Sequence, residues 1–222
     1  MTMNLFSIFD PSTFYVMNNW FSIFIWLMII PCSYWLMGNR LEWIYSILIK
    51  YIYMEFKPLL LKSKFILLVV LSVFLFILFN NTMGLFPYVF CASSHMSFTL
   101  SLGLVSWVSL MLYGWINNYR NLLIHLIPQG TSSMLMPFMV LVETISNIIR
   151  PLTLSVRLCA NMIAGHLLIS LLSSSLMNTN FIMFSPLILG EFALMILEIA
   201  VAFIQAYVFS MLFTLYTAEL SS

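Results

Sequence analysis

The chain has 222 residues, of which 63% are apolar and 7% charged, with a net charge of +1. A water-soluble domain carries roughly 25% charged residues, so this composition excludes a soluble fold and points to lipid as the solvent. In lipid every backbone polar group is satisfied internally, and long apolar runs without period-2 alternation exclude a β-barrel. The prediction is an all-α membrane protein of five to six helices forming one domain over residues 1–222. The balanced charge gives no reason to expect nucleic acid as a partner. Cys32, Cys91 and Cys159 lie in apolar surroundings without paired spacing; they read as small buried hydrophobes, with no disulfide framework, metal site or cofactor. Met1 to Pro11 lacks the basic start of a cleaved signal or transit peptide.

In chain order, the first predicted crossing is about 14–37, long enough to span roughly 30 Å of hydrocarbon. Residues 40–64 mix Arg40, Glu42, Lys50, Glu55, Lys57, Lys62 and Lys64 with aromatic and aliphatic residues, and read as an amphipathic surface helix. Further crossings follow at about 65–90 and 98–116. A polar loop is expected over 117–133, with Arg120, His125 and the turn signal Pro128-Gln129-Gly130. Two long segments, about 135–172 and 181–220, then form a tilted hairpin, because each exceeds what a perpendicular span needs. Ser173 to Asn180 is its turn, and Pro151 is a candidate kink. Five of the eight Lys and Arg residues lie in 40–64 and a sixth is Arg120, whereas 91–97 and 173–180 hold none. The positive-inside rule then puts the N-terminus outside and the C-terminus inside.

The other two basic residues, Arg150 and Arg157, lie within the first long segment. Arginine at a helix centre costs about 2.5–3.5 kcal/mol on insertion scales and normally faces a bundle interior or water. Glu143, Arg150 and Arg157 are spaced by seven, and successive members drift by only about 20° around a helix. Asn147 and Asn161 fall near the same stripe. Glu191, Glu198 and Gln205 form a second seven-residue stripe on the last segment. An antiparallel hairpin centred near residues 181–182 puts Arg157 opposite Gln205, His166 opposite Glu198 and Glu143 opposite Glu219. Arg157 then lies between Glu143 on the inner side and Glu198 on the outer side. On the residues alone, Arg150 also fits a snorkelling side chain next to Pro151, His166 a structural histidine, Glu191 an interfacial residue near the outer turn and Glu219 a solvated terminal charge.

The stretch MPFMVLVETISNIIRPLTLSVRLCANMIAGHLL (136–168) resembles the subunit a family of mitochondrial F-type ATP synthases, the animal form above all. So do FNNTMGLFPYVF (79–90), HLIPQGT (125–131) and IQAYVFSMLFTLYTAEL (204–220). The resemblance implies a proton-translocating stator subunit in the mitochondrial inner membrane. Its N-terminus would face the intermembrane space and its C-terminus the matrix, and it would make no bond itself. It further implies a ring of c subunits, other stator and membrane-sector subunits and the lipid bilayer as partners. By the same resemblance, Arg157 matches the essential arginine beside the ring, and Asn161 and Gln205 match polar residues near it. His166 and Glu198 match the proton inlet, and Glu143 matches the outlet. Cys159 stands where a Thr or Ser is expected. A secondary transporter or ion channel is the alternative class, and would need repeated halves that the sequence lacks. A haem or copper subunit would need paired ligands, whereas His95, His125 and His166 lie in separate segments.

Overall fold

The computed structural model describes residues 5–12, 19–31, 37–60, 64–127, 132, 134–177 and 181–221. Among them all regular structure is helical. Short 3-10 turns at Leu5–Phe9 and Asn19–Phe24 lead into helix α1, Ile25–Ile29. Helices α2 (Arg40–Phe56), α3 (Lys64–Gly84), α4 (Met96–His125), α5 (Met136–Leu176) and α6 (Phe181–Ser221) follow. Four of these, α3 to α6, are long and apolar enough to cross a membrane. Asn19–Ile29 is apolar but short. Of the expected first crossing, residues 14–18 and 32–36 lie outside the described residues, as do Cys32, Lys62 and the Pro128-Gln129-Gly130 turn.

α2 starts where the backbone N–H of Asn39 donates to the Glu42 carboxylate at 3.1 Å, a reciprocal capping arrangement. It keeps Leu41, Trp43, Ile44 and Tyr51 exposed while burying Ile52 and Phe56. The segment expected to form an amphipathic surface helix is therefore helical over Arg40–Phe56, with Ile52 and Phe56 turned into the protein. Its last aromatic, Phe56, stacks on Tyr207 of α6 with ring centroids 6.3 Å apart.

α3 ends at Gly84, six residues before the end predicted from hydropathy. A Cβ at position 84 would lie 2.8 Å from Cys91 Sγ, so the returning chain needs a glycine there. Pro87 then prevents resumption of the helix, and Tyr88 takes the left-handed region at φ 66°. The buried 3-10 turn Ala92–Ser94 carries the chain into α4.

α4 runs nine residues past the predicted crossing, so the loop expected at 117–133 is helical as far as His125. Asn118, at φ −139° and ψ 53°, breaks the regularity and re-aims the polar extension. Asparagine favours such breaks because its amide competes with the helical backbone. The turn expected at 173–180 is likewise shorter, since α5 continues to Leu176. α5 and α6 have 41 residues each, about 60 Å at 1.5 Å per residue and twice the hydrocarbon thickness. α5 stays helical through Pro151.

α3 and α4 pack as a scaffold behind this hairpin. Val70, Phe74, Ile77 and Leu78 of α3 share one core with Leu110 of α4, Leu158 of α5 and Phe209 and Phe213 of α6. α4 approaches α5 closely at Gly103, where a Cβ would sit 3.3 Å from the Cβ of Ser155. This packing fixes which face of α5 is turned inward: Ser155, Leu158, Cys159 and Met162 are buried. Cys159 donates from Sγ to the Ser94 carbonyl at 2.9 Å, the bond a Ser or Thr hydroxyl would make at that position.

Candidate functional site

Turning that face inward leaves Thr153, Arg157, Ala160, Asn161, Ala164 and Leu168 on an exposed strip of α5. The strip consists largely of small residues around one guanidinium. Arg157 makes no hydrogen bond or ion pair among the described residues, including to Gln205, which is buried on α6. The predicted juxtaposition of Arg157 with Gln205 therefore involves no bond between them. Within a membrane-length apolar helix such a cation requires water or an external anion. Small neighbours let another helix approach it closely.

Arg150, two turns away, is in a different situation. Its guanidinium lies 3.5 Å from Glu143 and 5.5 Å from the centre of the Tyr216 ring. The seven-residue spacing thus produces an ion pair between the first two members of the stripe and leaves the third, Arg157, free to act outward. Both partners of the pair are more than a third exposed, so it contributes modestly, about 0–1 kcal/mol.

On α6, Glu198 is turned into the hairpin and only 9% exposed. It faces Gly165, where a Cβ would lie 2.7 Å from the Glu198 Cδ. The absent side chain at 165 is the space the carboxyl group uses. The Glu198 Oε2 atom is buried with no hydrogen-bond partner among the described residues. A cavity of about 200 Å³ opens beside it, lined by Asn161, Gly165 and Leu168 of α5 and by Leu194 and Val201 of α6.

His166 is the next residue after Gly165 and lies about 100° around the helix. It lines a second, larger cavity of about 670 Å³ together with Pro87, Tyr88, Ser170, Glu191 and Phe192. Its ring meets Phe9 edge-on at 6.4 Å, and its Nε2 is buried without a hydrogen-bond partner among the described residues. The expected pairing of His166 with Glu198 is met to within one residue, inside the one turn to which the counting holds. Glu198 faces Gly165, and the two polar groups border different cavities. The register itself agrees with the counting argument, since the Gly165–Glu198 contact centres the hairpin between 181 and 182, and the Arg150–Tyr216 contact centres it at 183. The third predicted pairing, of Glu143 with Glu219, ends on a side chain outside the described set. Two groups take up roles that the spacing left open: Arg150, as the partner of Glu143, and Glu191, which shares a cavity with His166. The signal for both was their place on the seven-residue stripes. No cluster of His, Cys, Asp or Glu able to hold a metal ion occurs among the described residues.

The fold and site together define an integral membrane protein whose longest helices carry unpaired ionisable groups toward cavities and an outer face, the class of membrane-embedded ion-translocating subunits. The chain belongs to the ATP synthase A chain family, whose model matches residues 12–218. It is 52% identical to ATP synthase subunit a of Locusta migratoria over 225 residues, covering 99% of each chain. It is 51% identical to that of Aedes albopictus and 50% identical to that of Drosophila melanogaster, in each case over the full length of both chains.

Proposed function

We propose that this chain conducts protons through two aqueous half-channels that meet at Arg157, against a ring of c subunits. Family membership makes it a proton-translocating stator subunit of the ATP synthase membrane sector. It acts with the other subunits of that sector and makes no bond itself. The corresponding location is the mitochondrial inner membrane, crossed several times by the apolar helices. The N-terminus faces the intermembrane space and the C-terminus the matrix, with α5 and α6 tilted to accommodate their length.

The observation that carries this reading is the unpaired Arg157 on an exposed strip of small residues, with acidic groups on either side along the hairpin. Gly165, level with Glu198, is eight residues away, about 12 Å along the axis, and Glu143 is fourteen residues away in the other direction, about 21 Å. A proton entering past His166 and Glu198 is handed to a c-subunit carboxylate, which is neutral while it faces lipid. After rotation, a second c-subunit carboxylate releases its proton near Glu143 to the matrix side. Arg157 separates the two paths. It is always charged, so it favours the ionised c-subunit carboxylate as that group passes and repels a proton hopping directly between the channels. Asn161 and Gln205 supply hydrogen-bonding groups beside the crossing point. Histidine suits the relay because its ordinary pKa is close to ambient pH. Each proton crossing gains about 2.3 kcal/mol per 100 mV.

The test contrasts the two intramembrane arginines in the assembled complex. Arg157→Gln should abolish ATP-driven proton pumping while the complex still assembles. Arg150→Gln, which removes only a half-exposed ion pair, should lose no more than about fivefold, the equivalent of 1 kcal/mol. Coupled turnover persisting in Arg157→Gln would rule out the barrier role.

A further inference from the structure

We infer that Glu191 is a proton-collecting carboxylate at the mouth of the inlet, loading the path ahead of His166 and Glu198. This rests on the inlet reading above and extends it by one residue.

The larger cavity is lined by four parts of the chain and is open on one side: Ile8 of the first 3-10 turn, Pro87 and Tyr88 after α3, His166 and Ser170 of α5, and Glu191 of α6. Its volume of about 670 Å³ compares with about 30 Å³ for one molecule of liquid water, so it accommodates a connected group of waters. The titratable groups facing it are Glu191, His166 and Tyr88, and no Lys, Arg or Asp lines it among the described residues. A carboxylate there has no lining cation to neutralise it. Its field therefore falls on the water of the cavity, and charge of one sign in a low-dielectric cleft raises the local concentration of the opposite ion.

Glu198 lines the smaller cavity and not this one, so its carboxyl group is not in contact with this water. Glu191 lies seven residues from Glu198 toward the hairpin turn, about 10 Å farther from Arg157. His166 is the group on the wall of the larger cavity nearest the level of Glu198. Its buried Nε2 has no hydrogen-bond partner among the described residues, and a buried nitrogen left so is costly; the water of this cavity is the partner the geometry offers. Glu191 takes a proton from hydronium, becomes neutral, and releases the same proton through water to His166. It returns to carboxylate, with one proton moved and none consumed.

The experiment uses the complete ATP synthase in sealed vesicles, with proton flux measured at fixed driving force while the pH on the His166 side is raised. In Glu191→Gln the flux should fail at lower pH than in the wild type, with the deficit growing to about tenfold at the proton-poor end. Glu191→Asp should restore most of the profile, and Glu191→Ala carries the loss test if the Gln variant does not assemble. A loss equal at every pH, or an unchanged profile, overturns the inference. Glu198→Gln run in parallel separates the two levels. Wild-type flux in that variant would remove the inlet reading itself. Abolished flux there with an unchanged Glu191→Gln profile would remove only the role of Glu191.

Discussion

The carboxyl group of Glu198 occupies the space that a side chain at Gly165 would fill. This relationship ties the two long helices together at the point where α6 carries the buried acid Glu198. It also fixes the position of that acid: the missing Cβ lets the carboxyl group lie against the α5 backbone, one turn from the exposed Asn161.

Gly165→Ala should therefore impair proton flux more than assembly. The added methyl meets the mobile end of the Glu198 side chain, not backbone, so the fold can yield by rotating that side chain. Overpacking that could not yield would cost about 1–3 kcal/mol. Flux through vesicles should fall by about tenfold, the equivalent of 1.4 kcal/mol, with a normal yield of complex. Adding Glu198→Asp, which is shorter by one methylene, should recover part of the loss. Unaltered flux in Gly165→Ala would mean that the close approach is not needed.

His166 and Glu198 should behave as one pathway although no hydrogen bond joins them. Each single variant, His166→Leu or Glu198→Leu, should slow translocation. In a double-mutant cycle the combined defect should fall short of the sum by about 0.5–3 kcal/mol. Fully additive defects would assign the two cavities to independent routes.

The hairpin register can be read chemically. In a background with the native cysteines replaced, cysteines at 165 and 198 should crosslink on mild oxidation, because a disulfide requires Cα atoms within about 7 Å. Cysteines at 165 and 191, two turns out of register, should not. Electrophoresis after cleavage between α5 and α6 would score both pairs, and the reverse result would mean a hairpin slipped by two turns.

Much of this protein is fixed by its sequence alone. Sparse charge and long apolar runs require helices in lipid. The seven-residue spacing of Glu143, Arg150 and Arg157 aligns them on one helical face whatever surrounds it. Even the register of the α5–α6 hairpin follows from counting to within about a turn, because both arms rise equally per residue.

Tertiary packing decided what counting cannot reach. A one-residue difference along a helix is a rotation of about 100°, so whether Gly165 or His166 meets Glu198 depends on how α4 seats against α5 at Gly103 and Ser155. That seating separates His166 and Glu198 into two cavities and leaves Arg157 outward. The pairing of Arg150 with Glu143 and Tyr216 depends on side-chain reach across two helices. The helical course of Asn117–His125 ran against its polar composition, because a helix already under way can continue by turning at a single asparagine.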